Sequence, residues 1–308
     1  MALLDLTRRS LLQTGMAAAA TAMLPAGLRP AHALATGDVV LSSVSDGNLV
    51  LPLGFSYPQA PQDKLVALLQ ANGLPTDSLM PDCNVPILKS GDRMIMFDVG
   101  SGSNFMPSAG RLLDNMAEGG LDPAEITDVV FTHAHPDHLW GLVDDFDEIV
   151  FPNARFFMGR TEWEFWRDPA TVDAMPEERK TFAVGAQNRL AYLEDMINLF
   201  EPGAEVLPGV EAVDTAGHTP GHMSFMLHGG SEPVLIAGDA ITHFAVSFAH
   251  PAWPSGSDQD AEMGVATRLR LLDRLASDKA ALTAYHLPTP GEGRVERDGT
   301  VYRFVAEG

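Results

Sequence analysis

Residues Thr132 to His138 read T-H-A-H-P-D-H, so three imidazoles and a carboxylate fall within seven positions, directly after the apolar run Val129–Phe131. At a strand end this spacing presses His133, His135, Asp137 and His138 into one tight loop. Lost solvation and mutual repulsion between protonated rings there call for a compensating cation. Further along, His218 and His222 lie in A-G-H-T-P-G-H, Asp239 follows Leu235–Gly238, and His286 follows Ala284 and Tyr285. Each of these sits where a predicted strand begins or ends. Imidazole and carboxylate donors suit zinc, with manganese, iron or cobalt as the other metals they accept. The chemistry such a set predicts is metal-dependent hydrolysis at a dinuclear centre.

The elements that must position these residues are legible as periodic apolar segments. Asp38–Ser45 and Gly47–Leu53 read as a pair of strands, and Asp63–Ala71 as a helix ended by Gly73 and Pro75. Val85–Leu88 and Met94–Phe97 flank Ser90-Gly91-Asp92 as a hairpin that delivers Asp98 into a glycine-rich loop. Asp122-Pro123-Ala124-Glu125 reads as a helix start before the strand leading to the histidine loop. Glu177–Phe200 is predicted to contain a helix, because Leu190, Leu193, Met196, Ile197 and Phe200 recur at helical period. Val210–Val213, Met223–Leu227, Val234–Ala237 and Ala281–Tyr285 read as strands, Asp260–Leu275 as an amphipathic helix, and Val295–Arg297 with Thr300–Phe304 as a hairpin across Asp298-Gly299. Antiparallel strand groups with helices interposed predict an α/β fold of two sheets between outer helices.

Length and charge narrow the function. The chain has 308 residues, 45% of them hydrophobic, enough for one large domain. Arg8-Arg9 before an Ala-rich apolar stretch, with Ala31-His32-Ala33 as a cleavage site, predicts a twin-arginine export signal over 1–33 and a single domain over 34–308. The expected location is periplasmic or secreted, with transient contact to the export machinery. The apolar stretch is too short and alanine-rich for a stable membrane anchor. The formal charge of −21, about −23 without residues 1–33, and the absence of a Lys/Arg cluster exclude a nucleic-acid partner. Cys83 is the only cysteine, so no intrachain disulfide forms, and it reads as a packing residue.

In this order the motifs resemble the metallo-β-lactamase superfamily, whose pattern is an H-x-H-x-D-H loop followed by single His, Asp and His ligands. The resemblance implies a four-layer αβ/βα sandwich with the metal site at the sheet edge. Carried over residue by residue, it implies that His133, His135 and His218 hold one metal ion, that Asp137, His138 and His286 hold the second, and that Asp239 bridges them. Two divalent ions, zinc first, would share a hydroxide nucleophile, with Asp239 and Asp137 as the catalytic carboxylates and Asp137 carrying a proton to the leaving group. Histidine at 135, where oxygen-reducing diiron relatives usually carry glutamate, favours hydrolysis. Asp98 and His222 are expected to orient ligands from behind.

The ending His286-Leu287-Pro288 with Pro290-Gly291 is similar to the exported branch that contains methyl parathion hydrolase and related lactonases. This implies a neutral lactone, ester or phosphotriester as the small-molecule substrate. The alternatives are a zinc β-lactamase, a thioester hydrolase, or a noncatalytic metal- or ligand-binding protein on the same fold. Phe105, Trp140, Phe244, Phe248 and Trp253 are candidates for an apolar substrate pocket, and Trp140 for narrowing it. His243 and His250 read as ordinary loop histidines. Trp163, Phe165 and Trp166 are expected to pack in a short helix away from the ligands. None of Tyr57, Tyr192, Tyr285 and Tyr302 is placed by the sequence against a substrate oxygen. The sequence leaves room for a homodimer.

Overall fold

Near-continuous apolar runs such as Met223–Leu227 and Val234–Ile236 commit the central strands to burial on both faces. The structure, a computed structural model, describes residues 29–34, 39–230 and 232–306, so residues 1–28 of the expected export signal lie outside the described residues. The first sheet runs, in spatial order, β1 (Arg29–Leu34), β2 (Val39–Asn48), β5 (Asp82–Ser90), β6 (Arg93–Phe97), β7 (Asp128–Val130), β8 (Arg155–Gly159) and β9 (Ile197–Phe200). Its strands are antiparallel from β1 to β6 and parallel from β6 to β9. The second sheet runs β10 (Glu205–Leu207), β11 (Val210–Asp214), β12 (Met223–Leu227), β13 (Val234–Ile236), β14 (Ala281–Thr283), β15 (Glu292–Asp298) and β16 (Val301–Ala306), with β13 and β14 parallel. β3 (Leu51–Pro52) and β4 (Ser78–Leu79) form a separate ribbon.

Side chains sort themselves by strand parity. Ile95 and Phe97 of β6, Val130 of β7 and Phe157 of β8 point between the sheets. There they meet Val210, Phe225, Val234 and Ile236 from the second sheet. Their neighbours Met96, Val129, Phe156 and Met158 face outward. That outer face is covered by α2 (Leu112–Glu118), α3 (Pro136–Leu139), α4 (Arg160–Arg167) and α5 (Lys180–Leu190), through Leu112, Met116, Leu139, Trp166, Ala186 and Leu190. On the other side Leu235 and Leu282 pack under α6 (Val246–Ala249) and α7 (Ala261–Asp278), against Phe248, Leu271, Leu272 and Leu275. The result is the four-layer αβ/βα sandwich. A smaller cluster holds α1 (Gln62–Ala71) beside Leu53, Tyr57 and Leu79.

Several expectations need correction. The break expected between the first two strands is not there: β2 runs through it to Asn48, with an irregular register after Ser45 where Gly47, at φ 96°, bridges to Ala109, and only Leu51–Pro52 of the second expected strand stands apart as β3. β3 pairs with β4 instead of β2. The predicted helix to Phe200 stops at Leu190, and Ile197–Phe200 is a parallel edge strand on β8. The helix start expected at Asp122 is a single 3-10 turn, over which Asp122 and Glu125 form a capping box. Residues 29–33 of the expected export signal lie in β1, paired with β2.

Candidate metal centre

The first sheet delivers its ligand-type side chains where parallel strands end. β7 runs into Thr132–His138, where Pro136 opens α3 and turns Asp137 and His138 inward. β6 runs into Asp98, held at φ 66°. The second sheet supplies His218 from the loop after β11, Asp239 from the turn after β13, and His286 after β14. All seven side chains expected as ligands converge, each at most 8% exposed.

Hydrogen bonds fix which nitrogen each ring presents to the centre. His138 gives its Nδ1 proton to Asp98 Oδ2 at 2.8 Å, and His286 gives its own to the carbonyl of Asp82 at 2.8 Å. His218 Nδ1 lies 3.1 Å from Asp258 Oδ1, whose other oxygen accepts from Arg268 at 2.9 Å. Thr132 donates its hydroxyl to Asp98, so the same oxygen accepts from His133 Nδ1 at 3.0 Å. Four Nε2 atoms are thereby turned inward.

His133 Nε2 and His218 Nε2 stand 3.0 and 2.8 Å from His135 Nδ1, so three ring nitrogens face one another and a single proton cannot satisfy them all. His138 Nε2 and His286 Nε2 lie 3.3 and 3.2 Å from Asp137 Oδ2. Asp239 spans both groups, with Oδ1 3.2 Å from His138 Nε2 and Oδ2 3.3 Å from both His218 Nε2 and His286 Nε2. Asp137 Oδ2, His138 Nε2 and Asp239 Oδ1 are buried yet have no hydrogen-bond partner. Buried polar atoms left unpaired are costly, and three converging on one point fit a cation. Electrostatics agree. Burial and neighbouring rings push His133 and His135 well down, which keeps them neutral donors. Burial opposes charge on Asp239, but His286, His138 and His218 outweigh it and hold the carboxyl well below its usual range.

Asp98 and His222 stand behind this cluster. His222 Nε2 accepts the Asp239 backbone N–H at 2.9 Å while Nδ1 meets Thr215 Oγ1 at 2.8 Å, and burial pushes the ring down to about 3. Gly238 permits that approach, since a Cβ there would come within 2.7 Å of His222 Nε2. Tyr285 donates its hydroxyl to the Asp137 carbonyl at 2.7 Å.

A cavity of about 330 Å³ opens on the cluster, with His135, Asp137, His218, Asp239 and His286 in its floor. Leu49, Leu51, Phe55, Phe105, Met106 and Phe182 form apolar walls, and Tyr57, Arg179, Thr242 and His243 add polar groups. Of the five aromatics expected here, only Phe105 lines this cavity. Trp140 stands behind it, edge-on to Phe105 at 5.6 Å and beneath the Arg189 guanidinium, so it supports the wall without touching the space. Phe244 lines a separate shallow pocket, Phe248 is buried against Phe304, and Trp253 stacks on His250 at 3.8 Å. Trp166 is not remote: its ring lies edge-on to His135 at 5.7 Å. Cys83 is a buried thiol beside His286, pushed up to about 11 by burial. Sequence reasoning missed Glu162, Asp258, Tyr57, Phe55 and Phe182, which arrive from segments with no local motif.

An αβ/βα sandwich with seven His and Asp side chains on loops from both sheets defines a protein that fits two divalent cations at the sheet edge. A sequence model described as the metallo-beta-lactamase superfamily matches residues 81–286, and the chain belongs to that superfamily. The chain is 26% identical over 172 residues to an N-acyl homoserine lactonase of Bacillus sp, a match covering 54% of this chain and 58% of that protein. It thus spans little more than half the length of that relative. The fold is similar to AidC, a dizinc quorum-quenching lactonase in complex with a product, N-hexnoyl-L-homoserine, with TM-score 0.85, 26% identity, and 92% of this chain and 98% of that one covered. It is equally similar to the hydrolase AbOPH in the beta lactamase superfamily, with TM-score 0.84, 27% identity and the same coverage.

Proposed function

We propose that this protein is a dinuclear, metal-dependent hydrolase that opens neutral lactones, with N-acyl homoserine lactones as the substrate class. The observation that carries the reading is the sharing of Asp239 between two complete ligand groups at the floor of an apolar cavity. His133, His135 and His218 would hold one zinc ion, Asp137, His138 and His286 the other. When bound, the two ions supply Lewis acidity toward the substrate carbonyl and lower the pKa of water toward neutrality.

The chain's own groups do the rest. The walls formed by Leu49, Leu51, Phe55 and Met106 bury an acyl chain and exclude water. His243 Nδ1 accepts from the N–H groups of Ala245 and Val246 at 3.1 and 3.2 Å, so its proton sits on Nε2. Burial pushes that ring down to about 4, which keeps it a neutral donor for a carbonyl oxygen. Asp137 lines the cavity as a carboxylate, so it can take the proton released by the attacking water and pass it to the leaving alkoxide. Arg179, anchored on the Gly256 carbonyl and lying over Phe55, offers a positive charge to the carboxylate product.

Aryl esters and phosphotriesters present a similar neutral electrophile and are the finer alternative, as is placement in the methyl parathion hydrolase-like branch. Acid release from N-hexanoyl homoserine lactone, before and after chelation and with His135→Ala as control, tests the reading. Zinc-loaded protein with no chelator-sensitive turnover of any lactone, ester or phosphotriester would falsify it.

We also propose twin-arginine export to the periplasm. Export lost in the double variant Arg8→Lys, Arg9→Lys, read by cell fractionation, is the expected result. Cleavage after Ala33 would remove nearly all of β1 and bare the edge of β2. The mass of the mature chain therefore tests the expected cleavage site separately from export.

A further inference from the structure

Glu162, in the first turn of α4, is fully buried, and no Lys, Arg or His pairs with it among the described residues. Its carboxylate is instead saturated by four neutral donors. Oε1 accepts from the Ala134 N–H at 2.9 Å and from Trp166 Nε1 at 2.6 Å, and Oε2 accepts from Thr219 Oγ1 at 2.6 Å and from the Gly221 N–H at 3.1 Å. Ala134 lies between His133 and His135, and Thr219 follows His218. Trp166 packs against the His135 ring. One side chain therefore holds both loops that carry the His133, His135 and His218 trio, and it touches none of the three rings by hydrogen bond. The fit is close, since a Cβ on Gly221 would lie 2.1 Å from the Glu162 backbone nitrogen.

Burying an unpaired carboxylate is costly, and a fold tolerates it where the donors it gathers are needed in one place. We propose that Glu162 is a positioning residue that clamps the 133–135 and 218–221 loops together and so sets the affinity of the trio for its cation, independently of the Asp137, His138 and His286 group. This rests on the reading of the cluster as a two-cation centre.

The carboxylate geometry predicts an asymmetric failure in Glu162→Gln. The amide nitrogen cannot face Ala134 and Trp166, because both are obligate donors. It must turn toward Thr219 and Gly221, where the hydroxyl can rotate to accept but the Gly221 N–H cannot. The loop carrying His218 is released while Ala134 stays bonded.

The test is zinc titrated into the metal-free full chain against a chromophoric chelator, followed by release kinetics from the loaded protein. Wild type should bind two zinc ions. In Glu162→Gln one of the two should weaken by about 10- to 100-fold and leave in a fast phase of half the amplitude, with the other unchanged. Thr219→Val, which keeps the carboxylate and removes one donor, should show a smaller shift of the same phase and serves if Glu162→Gln does not fold. Two zinc ions held with wild-type affinity in either folded variant, with thermal stability lowered equally in metal-free and loaded forms, would overturn the proposal and leave Glu162 a packing residue. Wild type that binds no zinc would instead sink the two-cation reading itself.

Discussion

Whether His138 presents a lone pair or a proton to the centre depends on Asp98, which takes the ring's Nδ1 proton at 2.8 Å and both donors of Thr132 at 2.7 Å. In Asp98→Asn one oxygen becomes an NH2 group surrounded by donors, and the His138 tautomer is driven to carry its proton on Nε2. Zinc affinity should fall by about 10- to 100-fold with the fold retained. Chelator competition together with imidazole nitrogen NMR reads both effects, and an unchanged tautomer with unchanged affinity would count against this role. A second prediction concerns protons. In the metal-free protein burial opposes charge on His138 and His286, but Asp239 and Asp137 outweigh it and raise both well above the usual imidazole value. The stability these two groups contribute to the metal-free fold is thus fully present below their unfolded pKa, and is lost as pH rises through the folded values. The raised values favour a second proton on each ring in the metal-free protein, and zinc competes with any such proton, so binding should strengthen as pH rises. Calorimetry in buffers of different ionisation enthalpy should register proton release on zinc binding, and none released would refute the assignment. The ligand-type residues were legible because a single loop concentrates four of them. Glu162 was not, because three of its four donors, two backbone N–H groups and a hydroxyl, lie 28 to 59 residues away.

The loops between strands owe their shape to a few glycines whose reasons lie in tertiary contacts. Gly217 sits at φ 132°, and a Cβ on it would come within 2.4 Å of the Gly264 backbone nitrogen in α7. That helix cannot retreat, since the Asp260 N–H donates to the Gly217 carbonyl at 3.0 Å and the Asp260 side chain caps the same helix through Met263. Gly217→Ala therefore combines a strained backbone, about 1–3 kcal/mol, with an unrelieved clash, and should displace His218. Gly73, also at positive φ but with open space around it, provides the control, and Gly73→Ala should cost only about 1 kcal/mol. Denaturant melts of the two variants that coincide would contradict this account. At this scale much was readable: the apolar run before the histidine loop and those at 223–227 and 234–237 form strands, and the Asp260–Leu275 period a helix. Ile197–Phe200 was misread because a four-residue edge strand continues, by chance, the apolar period of the helix before it. Only its pairing with β8 decides the matter. The pocket aromatics failed for a related reason. Position after a metal-bearing strand says nothing of which way a ring turns, and Phe248 turns into the core.

At the scale of the whole molecule, the centre lies where the two halves of the sandwich meet. His133, His135, Asp137 and His138 belong to loops of the first sheet, whereas His218, Asp239 and His286 belong to the second. Between the sheets the contact is mainly apolar, built from residues such as Phe97, Val130, Phe225 and Ile236, with hydrogen bonds at the rim from Asn84 to the Tyr285 and Leu287 carbonyls and from the Met223 N–H to the Thr132 carbonyl. Cations held across this seam would therefore pin the register of one sheet on the other, and would bind the unfolded chain far more weakly. At a thousandfold excess over Kd such a ligand contributes about 4 kcal/mol to folding. At roughly 2–4 °C per kcal/mol for a large domain, that is a rise of about 8–16 °C in Tm. Scanning calorimetry of zinc-loaded and chelated protein should give this difference in a single transition, because both halves lose the same tie. Two separate transitions after chelation, or a Tm that does not move while metal analysis shows both ions gone, would mean that the apolar seam alone sets the packing of the sheets and that the centre is a passenger on the fold.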